Sequence, residues 1–81
     1  MDGLTIGRIV HFITASREHL PAIITKVWSQ ESGCANLRVF RDLTWDQETH
    51  TYLDGTYLET SRNYAPSQQD APGTWHWIER A

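Results

Sequence analysis

Cysteine is nearly absent. Cys34 stands alone in 81 residues, so no disulfide can form within the chain, and a lone thiol fits a reducing compartment. One cysteine and four scattered histidines (His11, His19, His50 and His76) give no finger-type ligand spacing, so no metal is expected. Long apolar runs are missing too. None approaches the roughly 18 residues of a membrane span, and no basic start leads into the apolar stretch of a signal peptide. The expected location is therefore the cytoplasm. Lysine is scarce, one against six arginines, and the net charge is −3. That balance argues against strong non-specific nucleic-acid binding, which needs a basic face to displace counterions. Catalytic signatures are also lacking. There is no Gly-x-Ser-x-Gly elbow, no Gly-rich phosphate loop and no His-Glu-x-x-His helix. The expectation is a binding protein and not an enzyme, without cofactors.

A chain of this length is enough for one domain, residues 1–81, with a thin core. Small domains often need a staple. With disulfides excluded, good packing or self-association must supply it, and a homo-oligomer is expected. Four Trp and three Tyr form a heavy aromatic load. Some of these rings must fill the core, and others can stack on a ligand or partner.

The pattern along the chain is that of short strands. Ile6 to Thr14 is β-branched and aromatic; in alternation Arg8, Val10 and Phe12 share one face, and Ile9, His11 and Ile13 the other. Ala15–Leu20 reads as a loop or a helical turn capped by Ser16. Pro21 opens a second strand, Ala22 to Trp28, where a missing N–H is tolerated. A turn over Ser29–Gly33 leads into a third strand, Ala35 to Arg41. Asp42–Thr51 is polar and ambiguous. Asp54-Gly55 is a strong turn signal and predicts a short hairpin between flanking Thr/Tyr/Leu segments. Ser61–Gly73 reads as a thirteen-residue connection, long enough to suggest a functional loop. Thr74 to Glu79 closes the chain as a last strand. Five or six short strands without a long helical pattern predict an all-β fold, a small SH3-like barrel.

The candidate site residues are mostly aromatic and arginine. Trp75 and Trp77 fall on one face of the last strand, about 7 Å apart along it at roughly 3.3 Å per residue. Two such indoles can support stacked groups, although core closure is the ordinary role of at least one. His76 points the opposite way. Arg62 beside Tyr64 can hold a phosphate while the ring stacks on a base; the ordinary alternative is a solvated loop with the tyrosine folded down. Arg38 should face outward in a surface ion pair. Asp42, Asp46, Glu48 and His50 could form an acid/base or metal cluster, but polar loops carry such groups by default. Cys34 has no histidine near it in sequence to activate it.

The C-terminal segment Pro72-Gly73-Thr74-Trp75-His76-Trp77, with Glu79, resembles the Pro-Gly-Thr-Trp-His-Trp-Pro-Glu hallmark of a widespread family of small, mostly uncharacterised phage and prophage proteins. The segments Gly7 to Phe12, Ala22 to Val27 and Asn36 to Phe40 match it as well. The chain departs from the pattern in three places. Ile78 stands where the family has proline, the insert Asp42–His50 is longer, and the loop before Ala71 is less acidic. The resemblance implies a phage-encoded accessory protein acting in the cytoplasm of a bacterial host. By analogy of size, origin and aromatic and arginine content, it implies an anti-defence sponge that sequesters a cyclic nucleotide signal, with Trp75, Trp77, Tyr64, Arg62 and His11 as ligand-binding residues. His11 joins that set through the family-like first segment. The alternative is a protein-interaction module that inhibits a host protein.

Overall fold

The computed structural model describes residues 3–46, 48–65 and 71–78. They form β1 (Ile9–Ile13), β2 (His19–Ser29), β3 (Cys34–Asp46), β4 (Thr51–Arg62) and β5 (Trp75–His76). The five strands make one antiparallel sheet in the order β4-β3-β2-β1-β5. The fold is all-β, as the strand pattern predicts. No helix among the described residues is long and apolar enough to cross a membrane.

The segment that follows β4 reaches β5. Past the end of β4, the N–H of Trp75 donates to the carbonyl of Asn63 (3.1 Å) and the N–H of Ala65 donates to the carbonyl of Trp75 (2.9 Å). These bonds form a parallel bridge between Tyr64 and Trp75. The bridge ties the segment after β4 to β5, an arrangement consistent with a barrel-like fold. It also removes part of an exposed edge that would otherwise invite pairing with other chains.

The core follows from alternation. Val10 and Phe12 of β1, Ala22 and Ile24 of β2, and Ala35, Leu37 and Val39 of β3 all point inward with Leu4 and Trp75. Leu20, Val27, Tyr57, Tyr64 and Trp77 pack around them. Trp75 is the largest fully buried side chain, and its indole N–H donates to the carbonyl of Gly33 at 2.8 Å. That bond satisfies the one polar atom the ring takes into the interior.

The main departure from the sequence reading lies between β3 and β4. The Asp54-Gly55 pair makes no hairpin turn. β4 runs straight through it, and the reversal comes earlier, between Asp46 and Thr51, where His50 adopts φ 55°. Gly55 instead faces a bulge. The register passes from Arg41↔Gly55 to Thr44↔Leu53, so Asp42 and Leu43 oppose the single residue Asp54. Gly55 at φ 83° and Leu43 at φ 52° absorb the kink. The ambiguous polar stretch 42–46 is therefore strand, and β3 and β4 form a long arm. β5 is shorter than expected, two residues and not six. Residues 66–70, within the expected long connection, lie outside the described residues.

Truncating the central ring should be severe. Trp75→Ala is expected to lose about 3–5 kcal/mol of stability by urea denaturation, whereas Trp77→Ala, at a half-buried position, should lose clearly less. Equal losses would contradict the assignment of Trp75 as the core's centre.

Candidate metal centre

Strand alternation that turns one set of side chains into the core turns its neighbours to the other face. On β1, Val10 and Phe12 go inward, which leaves His11 outward beside the buried Ile13. On β5, Trp75 pairs with Phe12 and enters the core, so His76 emerges opposite His11. On β2, Ala22 and Ile24 go inward; Pro21 pairs with His11, and His19 pairs with Ile13. His19 therefore lies diagonal to His11 on the same face, within reach of long side chains.

The three imidazoles meet there. Ring centroids are 6.0 Å apart for His11 and His19, 5.6 Å for His11 and His76, and 4.9 Å for His19 and His76, all edge to face. One ring nitrogen from each residue lies within 4.8 Å of the others. His76 is buried at 2% exposure, His11 is half-buried and His19 is exposed. The cluster thus has a fixed floor and an open side.

Imidazole nitrogens suit zinc and the neighbouring divalent transition metals. In a tetrahedral site, two nitrogens each 2.0–2.1 Å from one zinc ion lie about 3.4 Å apart. From a spread of 4.8 Å, the nitrogens must close by up to about 1.4 Å. Exposed His19 sits at the start of its strand and can make that adjustment by rotating its side chain. Three protein nitrogens would leave a fourth tetrahedral position towards solvent.

No short ligand spacing in the sequence marks this cluster, since its members lie at positions 11, 19 and 76. The three histidines come from three strands, and only the sheet order brings them together. The one available signal was alternation, which places His11 and His76 on faces opposite to Phe12 and Trp75.

The expected aromatic and arginine site is distributed differently. Trp75 is wholly buried. Tyr64 packs edge-on against Trp75 (5.1 Å) and near Trp77 (6.3 Å), and Trp75 and Trp77 meet at 5.1 Å. The guanidinium of Arg8 lies 4.9 Å from the centre of the Trp77 ring. Arg62 pairs with Glu59 at 3.0 Å and lies over Phe12. Trp75, Trp77 and Tyr64 therefore form one packed group, Arg62 lies over Phe12, and His11 lies on the opposite face of β1, with the other histidines. Asp42, Asp46, Glu48 and His50 lie along the β3–β4 arm. The Glu48 N–H donates to Asp46 Oδ1 at 2.9 Å, and the His50 ring lies 6.2 Å from that of Trp45.

Farther along the core side of the arm, the Arg41 guanidinium stacks 4.7 Å from the centre of the Tyr57 ring. Burial pushes the Tyr57 phenol above its ordinary value of 10.0. Glu59 adds to the rise, and Arg41 and Arg62 oppose it.

No family model, curated protein or solved structure matches this chain.

The raised phenol makes a signed prediction. The folded state holds Tyr57 neutral, so its contribution to stability is complete below pH 10.0 and is lost as pH rises through the higher folded-state value. Urea denaturation across that range should show stability falling more steeply for the native chain than for Tyr57→Phe. Identical slopes would contradict the burial argument.

Proposed function

We propose that this chain is a small metal-binding domain in which His11, His19 and His76 together hold one divalent transition-metal ion, with zinc the best fit. The observation that carries the reading is the convergence of three imidazole nitrogens, from three strands, within 4.8 Å. Chemistry supports it from a second side. The domain has 81 residues and one cysteine, and a bound metal is one of the few staples open to such a chain. The ion would fasten two-residue β5 and the start of β2 to β1. It would leave one position for water or a small ligand.

In this reading the protein works by binding, and the histidine centre is both its clasp and its point of contact. A role as a phage-encoded sponge for a cyclic nucleotide, or as an inhibitor of a host protein, draws its support from the C-terminal resemblance and from no cluster of side chains.

Metal titration of the purified chain tests the proposal. One equivalent of Zn²⁺ should bind, and at 100 times the dissociation constant it should add about 2.7 kcal/mol of stability, a rise in melting temperature of roughly 10–20 °C for a domain of this size. Co²⁺ should give the intense visible bands of a four-coordinate site. His19→Ala, at an exposed position, should keep the fold and abolish both signals, and His50→Ala, outside the cluster, should change neither. Retention of binding in His19→Ala, or no stabilisation of the native chain by any of Zn²⁺, Co²⁺ and Ni²⁺, would rule the centre out.

A further inference from the structure

A cleft of about 340 Å³ opens between the β1–β2 turn and the long β3–β4 arm. That volume lies at the lower end of the range for small-molecule sites, roughly 300–1,000 Å³. Thr14 and Leu20 line it from the turn side; Arg41, Trp45, Leu53 and Tyr57 line it from the arm. Leu20 turns into the cleft, and its neighbour His19 turns to the histidine cluster. The two sites therefore lie on opposite faces of β2, and the cleft does not depend on metal.

The cleft has a directional chemistry. Arg41 is held in place from two sides: its ring partner is Tyr57 at 4.7 Å, and its Nη2 donates to the carbonyl of Asp54 at 3.2 Å. Its Nε is buried and meets no acceptor among the described residues. The guanidinium is the one cationic donor among the residues that line the cleft. Trp45, Leu20 and Leu53 add apolar surface beside that donor. Asp46 and Glu48 also line the cleft. These two carboxylates against one guanidinium disfavour a phosphate dianion or a larger polyanion. They favour a ligand that carries one negative group for Arg41 and one positive group for the acids.

We infer that this cleft binds a small zwitterion, an α-amino acid with an apolar or aromatic side chain. Arg41 takes the carboxylate, Asp46 and Glu48 face the ammonium, and Trp45, Leu20 and Leu53 cover the side chain. An arginine–carboxylate contact and a covered apolar group are together enough for recognition without any reaction.

NMR titration tests this directly, because the Arg41 Nε–H and the Trp45 indole N–H give separate resonances. L-Phenylalanine at millimolar concentration should shift both, saturably. L-Phenylalaninamide, which lacks the carboxylate, and hydrocinnamate, which lacks the ammonium, should each bind about tenfold more weakly or worse. Arg41→Gln should lose at least about tenfold in affinity, and Trp45→Ala, at an exposed position, several-fold, with the rest of the spectrum unchanged in each. The inference fails if phenylalanine shifts neither resonance. It also fails if both folded variants bind phenylalanine as the native chain does, or if inorganic phosphate or adenosine monophosphate binds more tightly than phenylalanine.

Discussion

Strand β5 is two residues long, and much of the molecule's organisation passes through it. Trp75 points inward, fills the centre of the core and anchors its indole N–H on Gly33. Its backbone bonds to Asn63 and Ala65 on one side, and its strand pairs with β1 on the other. β5 is therefore held from both sides through this residue. Because side chains alternate along a strand, seating Trp75 in the core forces His76 to the outer face. Pairing with Phe12 then fixes which residue His76 meets, and that residue is His11. The candidate metal centre is a consequence of how the core is filled.

The same logic explains the division of labour across the sheet. Its inner face is apolar and closed, with Leu4, Val10, Ile24, Leu37 and Val39 around the indole. The outer face near β1 carries the histidines, graded from buried His76 to exposed His19. A metal ion there would join β1, β2 and β5. The long β3–β4 arm adds a second surface. Its bulge at Asp42 and Leu43 and its left-handed Gly55 bend it, and the arm, with the β1–β2 turn opposite, encloses the cleft at Arg41.

Much of the fold was legible in the sequence. The alternating segment Ile6 to Thr14, the β-rich run Ala22 to Trp28 and the third segment Ala35 to Arg41 each hold a strand, and Arg38 faces outward as expected. Asp54-Gly55 misled because its turn chemistry is shared with bulges: a glycine at positive φ serves either purpose, and only cross-strand register decides between them. The site was less legible. Trp75 and Trp77 were conspicuous in sequence because they are large and close together, but in the structure they serve packing. His11, His19 and His76 were inconspicuous because their spacing along the chain is irregular. Their meeting depends on the sheet order β2-β1-β5, and strand order between non-consecutive elements leaves no mark in local pattern.

The measurement that tests the central claim most directly is X-ray absorption at the zinc edge of the one-to-one complex. The account predicts three imidazole nitrogens and one oxygen at about 2.0–2.1 Å, with the imidazole scattering lost in His19→Ala. A shell of oxygens alone, or a sulfur at about 2.3 Å from Cys34, would contradict it.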